Sequence, residues 1–392
     1  MGDAVAAAER LSPRAILDRL VGFPTVSRDS NLPLIDWVEG YLGRHGIACH
    51  RQWNATGDKA GLFAHVGPAV AGGVVLSGHT DVVPVEGQPW STDPFVVTER
   101  DGRLYGRGTS DMKGFDALAI WAMVEARHRG VRRPLQIALS YDEEIGCTGA
   151  PPLIEAMAVL PKAADVIVGE PTWLKVVCGH KGSLNYDVHV HGFEVHSAIL
   201  HRGVSAIMWG AKLIEWANEV NAAQAVAEPQ GMGALFDPPY SNVHVGQISG
   251  GTAHNITAKA CRFGLGFRVV PGETLDHWRD RAETEAARLT TAMRAIRPEA
   301  WIELREAFSL PPLAPTPDNR AEALARQITG DNSDNHVSYG TEASHFQSAG
   351  YDVVVCGPGS IEVAHQPDEY ITVAQFEAGR GFMEDLLARL AA

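Results

Sequence analysis

The 392-residue sequence predicts an α/β fold interrupted by a smaller inserted α+β domain, and three observations carry that expectation. Short apolar runs bounded by glycine and polar residues recur as Val74-Val75-Leu76, Ile137-Ala138-Leu139 and Val166-Ile167-Val168. Such runs read as strands buried on both faces, and helical periodicity between them fits an α/β sheet. From about residue 180 the texture changes: Tyr186, Val188 and Val190 alternate with Asp187, His189 and His191, the mark of a strand with one wet face. A chain of this length also exceeds what one core commonly supports, so two domains are expected.

Ser12-Pro13 is a favourable helix start, with Ile16, Leu17, Leu20 and Val21 on one face. Asn31 is expected to cap a second helix carrying Ile35, Val38 and Leu42 and closed by Gly43. Strands are expected near 60–66, 73–78, 134–141 and 164–169, with a helix from about Met112 to Arg129 ended by Gly130. The inserted segment continues with a helix near 204–220, strands near 242–249 and 258–269, a helix near 273–296 and a strand near 300–307. That order is a self-contained split β-α-β unit. Pro311, Pro312, Pro315 and Pro317 mark a linker back to the first domain. There a helix from Asn319, a strand at Val353-Val354-Val355 and a closing helix with Phe376, Phe382, Leu386 and Leu390 are expected.

A formal charge of −14 argues against nucleic acid or an anionic membrane surface as the partner. The cysteines Cys49, Cys147, Cys178, Cys261 and Cys356 are scattered and odd in number, and form no Cys-x-x-Cys. Neither a disulfide framework nor a thiolate metal site is indicated. Met1 to Arg10 lacks a basic region followed by an apolar core, and no apolar stretch is long enough to span a bilayer. The expectation is a soluble, cytoplasmic protein.

The chemistry-bearing residues are His79, Asp81, Asp111, Glu143, Glu144, Glu170 and His365. Most stand just past an apolar run, and in an α/β sheet the residues beyond the carboxyl ends of strands gather in one crevice. Hard nitrogen and oxygen donors converging there suit divalent metal, and more than four of them suit two ions, as in a hydrolase. Asp81 is placed two residues from His79 to accept its second ring N–H. Asp111, in Gly106-Arg107-Gly108-Thr109-Ser110-Asp111-Met112-Lys113-Gly114, precedes a helix, where one carboxylate can both cap and bridge two ions. Adjacent Glu143 and Glu144 cannot point the same way in extended chain. One is expected to ligate metal, the other to stay free as a general base.

Together the strings Ser77-Gly78-His79-Thr80-Asp81-Val82-Val83-Pro84, Asp111-Met112-Lys113-Gly114, Asp142-Glu143-Glu144, Gly169-Glu170-Pro171 and the segment around His365 resemble the di-zinc amidohydrolases and exopeptidases. That family includes acetylornithine deacetylase, succinyl-diaminopimelate desuccinylase, aminoacylases and glutamate carboxypeptidases. The resemblance spans essentially the whole chain. Gly340-Thr341-Glu342-Ala343 and Gly357-Pro358-Gly359-Ser360 bring it nearest to the acetylornithine deacetylase branch. It implies a di-zinc-peptidase-like catalytic domain over 1–179 and 313–392, with 180–312 an inserted dimerisation domain. It further implies two zinc ions, cobalt being the alternative, bridged by Asp111. His79 and Glu170 would hold one ion, Glu144 and His365 the other, with Glu143 as the base. His196, in Gly192-Phe193-Glu194-Val195-His196-Ser197, is implied to enter the partner subunit's site and stabilise the oxyanion. Asn255 and Arg268 are implied to hold the substrate carboxylate.

Glu342 is expected to recognise the side-chain amine of N-acetylornithine, the implied small-molecule substrate. A desuccinylase, a broad aminoacylase and a carboxypeptidase share the same metal residues, and a non-catalytic metal-binding scaffold is the alternative from another class. Leu200, Ser205 and Thr257-Ala258 depart from the residues usual in the family, which bears on substrate preference. His45, His50, His65, His128, His189, His191 and His277 fit ordinary surface or strand positions, while His201 and His254 stand near the implied site residues.

Overall fold

A computed structural model describes residues 9–392. The described residues form two compact units, one of residues 9–178, 316–335 and 341–392, the other of 179–315 and 336–340. Residues 179, 313–315 and 336–340, expected with the catalytic domain, group instead with the inserted unit.

The first unit begins with α1 (Pro13–Val21), whose Ser12 side chain accepts the Ala15 N–H, and α2 (Leu32–Arg44). Asn31 does not cap α2 through its side chain as expected. Its amide group instead bonds the Ala60 N–H and C=O and the Thr80 hydroxyl, tying the helix start to the sheet. Then follow β1 (Cys49–Trp53), β2 (Ala60–Val66), β3 (Val74–His79), the short hairpin β4 (Thr98–Arg100) and β5 (Arg103–Tyr105), and α3 (Lys113–Arg129). Next come β6 (Leu135–Ser140), α4 (Ala150–Ala156), β7 (Asp165–Pro171) and β8 (Val177–His180).

The inserted unit holds β9 (Gly182–His191), α5 (Ala206–Val226), β10 (Asn242–His244), β11 (Ile248–Gly250), β12 (Ala260–Val269), α6 (Leu275–Arg294) and β13 (Trp301–Leu310). The chain returns through α7 (Arg320–Thr329), β14 (Asn335–Val337), α8 (Ala343–Ser348), β15 (Asp352–Gly357), β16 (Tyr370–Thr372) and α9 (Val373–Ala391).

The main sheet has the order β1-β2-β6-β3-β7-β15-β8-β14. Its central strands β6, β3, β7 and β15 run parallel. Every residue of β3, β6 and β7 is buried, as their unbroken apolar character requires. Helix α3 is buried from Lys113 to Ala126 and packs on β3 and β6. Because the four strands are parallel, their carboxyl ends open on one edge, where β3 delivers His79 and β7 delivers Glu170.

The inserted unit is an antiparallel sheet in the order β10-β12-β9-β13, with β11 beside β12. Leu184, Tyr186, Val188 and Val190 of β9 and Phe263, Leu265 and Phe267 of β12 share a core with Leu213 of α5 and Trp278 of α6. The alternate residues leave the opposite face polar, as a period of two demands. The strand expected at 242–249 is two short ones, β10 and β11, separated by residues 245–247.

Candidate active site

The carboxyl edge of the parallel strands gathers the residues that sequence spacing alone could only suggest. His79 Nε2 lies 3.1 Å from Asp111 Oδ1 and 3.7 Å from Glu170 Oε1. His365 Nε2 lies 3.2 Å from Asp111 Oδ2 and 2.9 Å from Glu144 Oε2. Donor atoms of His79, Asp111 and Glu170 all fall within 4.8 Å of one another, and so do those of Asp111, Glu144 and His365. Asp111 therefore belongs to both triads, one oxygen turned to each. Glu143 belongs to neither, and its carboxylate accepts the Cys147 S–H at 3.1 Å.

Local chain geometry explains how the pair separates. Asp142 and Cys147 both hold positive φ, at 57° and 56°, and the turn between them closes through the Gly146 and Cys147 N–H groups on the Glu143 carbonyl. Backbone in this sparsely populated region concentrates at functional sites. His365, on the loop after β15, is a third case at 63°.

Asp81 lies beside His79, as expected, and has further partners. His79 Nδ1 donates to the Asp81 backbone carbonyl at 2.9 Å, while the nearer carboxylate oxygen is 3.6 Å away. The carboxylate accepts the Ser27 hydroxyl at 2.7 Å and the backbone N–H groups of Glu143 at 3.1 Å and Glu144 at 3.4 Å. It fixes the turn that splits the two glutamates. Asp111 does not cap α3, whose cap position is Met112; its side chain serves the two histidines.

Two residues that sequence reading passed over hold Asp111 in place. Glu369 accepts the backbone N–H of Ser110 at 2.9 Å and of Asp111 at 3.0 Å, and its other oxygen pairs with Arg107 at 2.6 Å. Both side chains are fully buried. Charged residues flanking both Asp111 and His365 in the sequence were the available signal.

Comparison with known proteins places the chain in a family. A model of peptidase family M20/M25/M40 matches residues 75–389. The acetylornithine deacetylase of Myxococcus xanthus is 36% identical over 372 residues, covering 92% of each chain. The chain belongs to peptidase family M20/M25/M40. In fold it is similar to an M20 family metallo-carboxypeptidase from Sulfolobus solfataricus, with a TM-score of 0.77 at 17% identity over 97% of this chain and 99% of the other. It is likewise similar to a dinuclear metal-binding M20 peptidase from Bacillus subtilis, with a TM-score of 0.65 at 14% identity over 96% and 97% of the two chains. As an M20 family member, the chain is a metal-dependent amidohydrolase.

The electrostatics of this M20 site fit divalent metal. Burial, reinforced by the charges of its carboxylate neighbours, pushes Glu143 up to about 8 and Glu144 up to about 7, and raises Glu170 well above its usual range. Burial also opposes ionisation of Asp111, but hydrogen bonds from His365 and His79 outweigh it and hold that carboxyl low. The same bonds from Asp111 and Glu144 push His365 up to about 10. So many carboxylates need cationic charge among them, and Glu144 Oε1 is buried without a hydrogen-bond partner. A donor set of imidazole and carboxylate with no thiolate suits zinc-class ions.

Glu342 requires a correction. It is fully buried, and its oxygens accept the hydroxyls of Ser77 and Ser140, each at 2.6 Å, beneath strands β3 and β6. It cannot touch a substrate amine, and its role is to join α8 to the two strands that carry His79 and the glutamate pair. In the inserted unit, His196 and Asn255 are exposed neighbours, with the Ser197 N–H bonded to the Asn255 carbonyl. Arg268, on β12, donates to the Ser183 hydroxyl at 3.1 Å.

Proposed function

We propose that the chain hydrolyses the amide bond of an N-acyl amino acid, with N-acetylornithine its first candidate, releasing ornithine and acetate. The observation that carries this reading is Asp111, shared between two donor triads, with Glu143 beside them and in neither. His79, Asp111 and Glu170 would hold one divalent ion, zinc or cobalt, and Asp111, Glu144 and His365 the other. When bound, such a pair lowers the pKa of water and polarises the amide carbonyl.

Glu143 then takes the proton from the attacking water and delivers it to the departing amine nitrogen. Asp81 keeps that carboxylate in place by anchoring the backbone of both glutamates. His196 Nδ1 accepts the Ala198 N–H, which leaves the proton of the neutral ring on Nε2. That supports its reading as donor to the tetrahedral oxyanion, delivered to the partner subunit in a homodimer built through the inserted unit. Arg268 and Asn255 would hold the substrate carboxylate, arginine through its bidentate fork. Five free thiols support a reducing, cytoplasmic setting.

With Glu342 withdrawn from substrate contact, a broad aminoacylase is the second reading. Comparing kcat/KM for N-acetylornithine, N-succinyl-diaminopimelate, N-acetylmethionine and a dipeptide decides between them. N-acetylornithine is expected to lead; a preference for the neutral N-acetylmethionine would leave a general aminoacylase.

A further inference from the structure

We propose a second, independent divalent-cation site on the open face of the inserted sheet, formed by His189, His191 and Glu303. His189 and His191 are two apart on β9 and therefore face the same side. Glu303 on β13 is the direct cross-strand partner of His189. Ligand atoms of the three side chains all lie within 4.8 Å of one another. His191 Nε2 is already 3.2 Å from Glu303 Oε2, and His189 Nδ1 is 3.9 Å from the same oxygen. A tetrahedral zinc with bonds of about 2.0–2.1 Å sets its ligand atoms roughly 3.3–3.4 Å apart, so rotamer adjustment suffices to close the triad.

Other features favour capture of a cation. The His191 ring stacks on Trp301 with centroids 4.6 Å apart and planes 7° from parallel, which fixes its orientation. Burial, then the charges of Arg262 and Arg305, hold His189 below its usual range. A cleft of about 730 Å³ lined by Asp187, His189, Gln247 and Arg262 borders the triad and gives water access to the remaining coordination positions.

Arg305 is the competitor, paired with both Glu303 oxygens at 2.8 and 2.9 Å. Its side chain is more than half exposed, and exposed pairs of this kind contribute little, so it yields to a ligating ion. Two imidazoles and a single carboxylate select zinc, nickel or copper; calcium and magnesium require more oxygen ligands. The bound ion would clamp β9 to the sheet's edge strand.

The test is equilibrium dialysis of the full-length protein against micromolar zinc chloride, followed by metal analysis. The His189→Gln/His191→Gln chain is expected to hold one zinc fewer than wild type, and so is Glu303→Gln, an exposed-face change that guards against misfolding of the double variant. In an Asp111→Asn background the site should still take one zinc, which the double histidine change then removes. This keeps its outcome separate from that of the catalytic centre. Equal zinc content in wild type, the double variant and Glu303→Gln would overturn the proposal.

Discussion

Asp81, Glu143 and Glu144 show how a single carboxylate can assign different work to two identical neighbours. With the Asp81 carboxylate gripping both backbone N–H groups, Glu144 turns to His365 and Asp111 while Glu143 turns to Cys147. Glu143→Gln is accordingly expected to cost turnover roughly 10²–10⁴-fold, the range for a lost general acid–base, with metal content nearly unchanged. Glu144→Gln should lose metal along with activity. Metal analysis beside steady-state kinetics checks both, and the reverse pattern would exchange the two roles. Glu342→Gln should change kcat/KM for N-acetylornithine and N-acetylmethionine by the same factor, because the side chain meets only Ser77 and Ser140. A selective loss of the ornithine substrate would show that substrate feels Glu342 after all. Most of the cluster residues were legible in the sequence because they stand just past apolar runs that end at the same sheet edge, whereas Asp111 and His365 were legible from the strings that surround them. The place of Glu342 was not, since its partners lie far off in the chain and burial leaves no local mark.

At the scale of elements, the long buried strands and α3 were readable from their unbroken or periodic apolar residues. Strand β1 was not: Cys-His-Arg-Gln-Trp carries no apolar run, and it forms as the antiparallel edge beside β2. Helix α8, only six residues long, is likewise fixed by tertiary contacts and not by periodicity. The segment before α3 owes its position to the buried Arg107–Glu369 pair, which binds it to the stretch that follows His365. Removing one member leaves the other charge uncompensated in the interior. Glu369→Ala should therefore lower stability by roughly 3–5 kcal/mol. A shift in denaturant midpoint checks this; an unchanged midpoint would show that the ion pair is not what secures the Asp111 segment.

For the molecule as a whole, the change in sequence texture near residue 180 coincides with the passage into the inserted unit at residue 179. The return of residues 336–340 to that unit had no such signal, because a few residues do not establish a pattern. If His196 works in the partner's site, a Glu143→Gln chain mixed with a His196→Ala chain should recover about a quarter of wild-type activity. Random exchange makes half the dimers hybrid, each with one intact site. No recovery despite demonstrated subunit exchange would confine His196 to its own chain or remove it from catalysis. The central claim is a two-ion site hinged on Asp111. It is tested most directly by the tightly held metal of wild type and of Asp111→Asn after loosely bound ions are dialysed away, with turnover measured on the same samples. Beyond any ion held by His189, His191 and Glu303, two divalent ions per chain and chelator-sensitive activity are expected in wild type, with those two ions and activity lost together in the variant. A wild-type protein that holds no divalent ion and turns over undiminished in chelator would contradict the claim.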